Sequence, residues 1–207
     1  MSAMPDGDQP AAPSTSGADY AQRLVALESV WWKRLLDVQR PYRWNLKRNQ
    51  LGRTLDVGCG IGRNLATLAA GSVGVDHNAE SIALARQRGF TAYTAEEFFA
   101  DPPAAGSFDS MLLAHVAEHL TEAEDRDLLD SYLPFLRQGG RVMFICPQRR
   151  GYRTDATHVW FAQAADLARL AGAVGLRPER SYSFPLPAMA GGLFTYNETC
   201  VLARKPG

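Results

Sequence analysis

Apolar residues at Leu24, Leu27, Trp31, Leu35 and Val38 fall three and four positions apart, the spacing of one helix face, so 20–39 is expected to be an amphipathic helix ended by Pro41. Short apolar runs then alternate with helical spacings. Strands are expected at 54–57, 73–76, 91–93, 110–113 and 141–146, and helices at 64–70, 81–88, 122–137 and 163–173. A closing strand pair is expected at 180–184 and 199–203. Strands that alternate with helices predict an α/β fold whose largely parallel sheet is covered on both faces, with ligands at the carboxyl ends of its strands. No internal repeat interrupts the pattern. Residues 1–18 are rich in Pro, Ser, Ala and Gly and read as a disordered tail, followed by one domain over 19–207 whose first part, 19–49, forms a helical lid segment.

The first strand runs into Leu55-Asp-Val-Gly-Cys-Gly-Ile-Gly-Arg-Asn64, where small residues let a ligand approach the backbone. Gly58, Gly60 and Gly62 are spaced G-x-G-x-G. A dinucleotide fingerprint begun at Gly58 needs a third glycine at 63, which is Arg63, so a nicotinamide oxidoreductase is the poorer reading. Asp56 is an unfavourable neighbour for a pyrophosphate and a favourable one for a ligand bearing sulfonium and ammonium charges. Asp76 ends the second strand twenty residues later, where a carboxylate can accept both hydroxyls of a ribose. Each piece alone could equally serve tight packing or cap a loop.

Taken in order, LDVGCGIG, VGVDHN, TAEEF, FDSMLLAHVAEHL and LPFLRQGGRVMFICP resemble the motifs of the class I S-adenosylmethionine-dependent methyltransferases, over roughly residues 50–205. That resemblance implies a Rossmann-like, seven-stranded, mostly parallel sheet with an antiparallel last strand. It also implies S-adenosylmethionine (SAM) lying over Gly58, Cys59, Gly60 and Gly62, with Asn64 at the following helix start. Asp76 would hold the ribose, His77 would pack near the adenosine, and Ala95 and Glu96 would meet the adenine. Ala114 and His115 would border the methionine arm. A non-catalytic SAM-binding module is the alternative to an enzyme.

His115-Val-Ala-Glu-His119 is expected to open the helix after the fourth strand, which would place His115, Glu118 and His119 on one helix face, with His158 in the loop after the fifth strand. The pattern is similar to the Glu-x-x-Glu-His plus distant His that ligates a divalent cation in small-RNA 2′-O-methyltransferases, and to a related motif in ubiquinone-pathway O-methyltransferases. Here His115 stands where the first Glu would. Three readings follow: helix buttressing, a divalent metal held by His115, Glu118, His119 and His158, or a metal-free general base at His115 or His158. A nitrogen-rich set would favour zinc, manganese or iron over magnesium.

Charge narrows the acceptor. Lys plus Arg and Asp plus Glu both total 22, so no global field holds a polyanion or an acidic membrane. A basic, aromatic stretch at 33–53 reads as a lid with a solvated edge, in which Arg43 or Trp44 could reach the cofactor or substrate. Three scattered cysteines suit a reducing, cytoplasmic setting. The loop after the fourth strand reads Leu-Leu-Ala-His and lacks the Asn-Pro-Pro-Tyr pattern of family amino-group methyltransferases. The apolar run 184–194 could wall a small-molecule pocket. The expected acceptor is therefore a small molecule, methylated on oxygen, with a metal-assisted RNA 2′-O-methyltransferase as the alternative.

Overall fold

The computed structural model describes residues 39–155 and 157–207. The tail at 1–18 and the amphipathic segment expected at 20–39, except Gln39, lie outside them. The described part starts with helix α1 (Arg40–Arg48) and strands β1 (Thr54–Val57) and β2 (Val73–Asp76), followed by α2 (Ala79–Gln87), β3 (Ala92–Thr94) and α3 (Ala95–Ala100). Next come β4 (Phe108–Ala114), α4 (Glu122–Tyr132), β5 (Leu136–Pro147), the short α5 (Arg149–Tyr152) and α6 (Ala164–Ala173). The hairpin of β6 (Arg177–Phe184) and β7 (Glu198–Arg204) closes the fold.

The strands form one seven-stranded sheet in the order β3-β2-β1-β4-β5-β7-β6. Pairing is parallel from β3 through β5, and β7 alone runs against its neighbours, pairing antiparallel with both β5 and β6. The alternation of side chains along a strand explains why both faces are apolar. On β4 and β5, Met111, Leu113, Val142, Phe144 and Cys146 join the core under α4 and α6, whereas Leu112, Met143 and Ile145 join Leu46, Cys200 and Leu202 on the face covered by α1. Among the described residues no helix is long and apolar enough to cross a membrane.

Four expectations need correction. Residues 64–70 form no regular helix: Thr67 N bonds Asn64 O while Leu68 N bonds the same carbonyl, a mix of turn types in a connection with little chain left before Val73. Pro41 starts α1 as well as following the apolar segment, because proline fits the first turn of a helix, where its missing N–H has no partner to lose. The helix expected over 122–137 stops at Tyr132, where Pro134 cannot continue the hydrogen-bond ladder and Leu133–Phe135 form a 3-10 turn. His115 does not open a helix. It takes a left-handed φ of 60°, and only a single 3-10 turn, Ala117–His119, precedes α4, whose start is set by the capping box of Thr121 and Glu124.

Candidate functional site

The carboxyl ends of β1, β2 and β4 meet at the glycine turn. Gly58 N and Cys59 N both bond Val75 O, tying the turn to β2. Asp76 accepts from Gly60 N at 2.8 Å through Oδ2 and from Asn78 N at 2.9 Å through Oδ1. Asn78 in turn caps α2 by accepting from Glu80 N and Ser81 N. The acid at the end of β2 thus fixes both the glycine turn and the start of α2, and each carboxylate oxygen keeps a lone pair for a ligand hydroxyl. His77 lies beside it, Nδ1 at 3.4 Å from Asp76 Oδ1, with its side chain 58% exposed.

Asp56 is the most constrained acid in this region. It is fully buried and neither carboxylate oxygen has a hydrogen-bond partner among the described residues. Burial raises its pKa to about 8; the Asn64 side chain offsets part of that, and the Asp76 charge adds to the rise. An orphaned buried carboxylate is costly unless a ligand cation completes it. Beside it, Gly58 holds φ at 74° and leaves no room for a Cβ, which would come 2.3 Å from Val116 Cγ2. The residues fit a cofactor that carries a ribose diol and a positive charge and lies close against backbone.

Thr94 caps α3 through a reciprocal box with Glu97. This places Ala95 half-buried and Glu96 exposed in the first turn beyond β3, next to Asp76, whose register partner is Thr94. Ala114 ends β4, and His115 N bonds Ile145 O as the chain leaves the sheet.

The histidine cluster divides in two. His115 Nδ1 lies 3.1 Å from Glu118 Oε1 and Nε2 lies 3.0 Å from Glu198 Oε1, so both ring nitrogens face carboxylates. Packing around the ring works against its protonation, but the two carboxylates outweigh this and raise the pKa to about 10, although the side chain is 48% exposed. Glu198 is missing from the sequence-based set. It lies 83 residues away and reaches His115 because β7 is antiparallel, so its first residue pairs with Pro147 at the same edge as the carboxyl end of β4. The expected antiparallel seventh strand was the signal that could have found it.

His119, His158 and Glu118 form the second group. The two rings lie 4.7 Å apart between centroids, and one donor atom from each of the three residues lies within 4.8 Å of the others. Asp125 is a further acid outside the sequence-based set: in an acidic stretch that reads as a solvated helix face, it is fully buried, its oxygens have no partner among the described residues, and burial together with the Glu118 charge raises its pKa to about 8.

Trp44 stays 54% exposed and stacks on Phe184, while α1 is anchored to the hairpin by Asn45 on Cys200 and Asn49 on Tyr182. Leu186, Met189, Leu193 and Tyr196 project from the β6–β7 connection as exposed apolar groups, and Tyr42 donates to Tyr196 O.

A parallel sheet with a glycine turn after β1, an acid at the end of β2 and an orphaned acid within β1 fits a nucleoside cofactor bound at the carboxyl ends of the strands. Residues 55–144 match the family model for a methyltransferase domain. No curated protein matches the chain. Among solved structures, the chain is similar to a SAM-dependent methyltransferase from Archaeoglobus fulgidus (17% identity, 83% of this chain and 99% of that one, TM-score 0.61). It is also similar to an N-methyltransferase from Bradyrhizobium japonicum (18% identity, 82% and 97%, TM-score 0.62). A third is magnesium protoporphyrin IX methyltransferase from Synechocystis with bound SAM (16% identity, 91% and 85%, TM-score 0.55). At these identities the likeness is one of fold. Residues 55–144 carry a methyltransferase domain, and the protein is an enzyme whose cofactor is SAM.

Proposed function

We propose that the protein methylates a small-molecule acceptor, on oxygen in preference to nitrogen. SAM supplies an electrophilic methyl group on a sulfonium; the chain's task is to hold it, align an acceptor with it and exclude water. In this reading Asp76 accepts the ribose hydroxyls, Asp56 faces the cofactor's positive charge, and Gly58, Cys59, Gly60, Gly62 and Asn64 cradle the chain between them. His77, Ala95 and Glu96 flank the adenosine, and Ala114 and His115 flank the methionine arm.

The observation that carries the acceptor class is the row Glu118–His115–Glu198 at the end of β4, with the exposed apolar side chains of the β6–β7 connection forming the nearby rim. Such a row offers hydrogen bonds to a hydroxyl, and the rim suits an apolar body. His115 has no ring nitrogen open to the acceptor, so it is assigned as a positioning residue. His158 keeps the role of proton acceptor or ligand, because only its Nδ1 is engaged.

Two measurements test this function. Asp76→Ala removes the ribose acceptor together with the brace on Gly60 and is expected to weaken SAM binding more than about tenfold, by calorimetry, in a protein that still folds. Unchanged affinity would remove Asp76 from the ribose. Formation of S-adenosylhomocysteine is expected with phenols or alcohols and to be insensitive to salt. Turnover confined to amines, or turnover of RNA that falls steeply with salt, would overturn the acceptor assignment.

A further inference from the structure

The hydrogen bonds around His119 and His158 fix which ring nitrogen of each carries the proton. Thr157 Oγ1 donates its hydroxyl proton to Asp155 Oδ1 at 2.8 Å, so toward His119 Nδ1, 3.0 Å away, the same oxygen can only accept. His158 Nδ1 lies 2.7 Å from Tyr152 O, and a carbonyl also only accepts. Both rings therefore carry their proton on Nδ1 and keep a lone pair on Nε2. The third member is Glu118, 1% exposed, whose Oε1 faces His115 and whose Oε2 is buried without any partner among the described residues. One nitrogen from each ring and one Glu118 oxygen lie within 4.8 Å of one another, and the ring nitrogens left with a lone pair are the Nε2 atoms. Metal-binding histidines have this arrangement, with the distal nitrogen fixed by a carbonyl or hydroxyl so that the other faces the ion.

We propose that Glu118, His119 and His158 bind one divalent transition-metal ion, zinc in the first instance, with His115, Thr157 and the Tyr152 carbonyl orienting the ligands. Two imidazoles and one carboxylate suit zinc, iron or manganese and are a poor match for magnesium, which prefers oxygen and retained water. A tetrahedral zinc site needs ligand atoms about 3.4 Å apart, so donors within 4.8 Å must close by roughly an ångström as the ion enters. His115 is not a ligand here, since both its nitrogens are engaged. This assignment replaces the four-residue set expected from the sequence by three ligands and one supporting imidazole. Three protein ligands leave a coordination position open. Resting on the reading of this edge as the acceptor site, the open position is where a bound ion would hold the acceptor hydroxyl beside the methyl group, its proton passing to bulk water.

The test begins with the full chain, stripped with chelator and titrated with Zn²⁺, with Co²⁺ as a spectroscopic stand-in and Mg²⁺ as control. One Zn²⁺ per chain is expected, with a Co²⁺ spectrum typical of nitrogen ligation, a melting temperature that rises as the ion saturates, and no comparable Mg²⁺ effect. His119→Ala and His158→Ala should each lower Zn²⁺ affinity at least about a hundredfold. His115→Gln should keep the stoichiometry and lose about tenfold. Far-ultraviolet circular dichroism and a cooperative melting transition, measured on every ion-free variant, report that each is folded. Absence of one-to-one binding by the stripped wild type, or variants that bind as it does, would overturn the site. A bound ion with no turnover of any hydroxyl acceptor would keep the site and overturn the acceptor assignment. Chelator-insensitive turnover by ion-free protein would overturn the ion's part in the reaction.

Discussion

Asp56→Asn is expected to make the ligand-free protein more stable above neutral pH and a far weaker binder of SAM. The Asp56 carboxyl is buried, has no hydrogen-bond partner among the described residues, and is raised from 3.8 to about 8. Below pH 3.8 it is protonated in both the folded and unfolded chain. Between there and pH 8 the unfolded chain ionises while the folded one stays protonated, so stability falls as pH rises, and above pH 8 the folded chain carries the whole cost of a buried charge. For a shift of this size the loss is on the order of a few kcal/mol. Asparagine fills the same space and does not ionise. Its melting temperature should therefore match the wild type near pH 4 and exceed it by several degrees at pH 8.5. The cofactor's cation supplies the partner that Asp56 lacks, so SAM affinity should drop at least about a hundredfold, equivalent to about 2.7 kcal/mol. An equal loss for S-adenosylhomocysteine would assign the contact to the ammonium group; a loss confined to SAM would assign it to the sulfonium. A variant that binds normally, or is less stable at pH 8.5, would show that Asp56 is a purely structural acid.

Most of the fold was legible because its signals are local. The short apolar runs, the helical spacings between them and the glycine turn place every strand to within about five residues, and the position of Asp76 twenty residues after Asp56 follows from one βαβ unit. The misreadings fall where tertiary geometry overrides local pattern. His115, Glu118 and His119 have helical spacing, yet the chain must turn at the end of β4 to bring His115 N to Ile145 O, and this leaves His115 left-handed. That turn separates His115 from the pair His119 and His158 and directs its ring to Glu198. The partnership with Glu198 depends on strand direction, which no local pattern records. Asp125 was hidden for the opposite reason: its charge suggests a solvated face, and only the packing of α4 against the sheet turns it inward behind Glu118.

The contact between the glycine turn and the turn after β4 gives the second large effect. Gly58→Ala should cost about 2–5 kcal/mol of stability and lower SAM affinity by more than about a hundredfold. Two terms add. The φ of 74° is left-handed, which disfavours any side chain by about 1–2 kcal/mol, and the new Cβ would meet Val116 Cγ2 at 2.3 Å, an overpacking cost of about 1–3 kcal/mol. Neither side yields easily, because Gly58 N is bonded to Val75 O and Val116 follows the left-handed His115. The turn would have to move away from β4, carrying the cofactor cradle with it. Gly89→Ala separates the terms: its φ is 85° and nothing lies within 4 Å of the added Cβ, so it should cost about 1–2 kcal/mol and leave SAM binding intact. Adding Val116→Ala to Gly58→Ala should recover the steric part alone, a coupling measurable in a double-mutant cycle by denaturant unfolding. If Gly58→Ala costs no more than Gly89→Ala and still binds SAM, the close approach of the two turns is not what shapes the cradle.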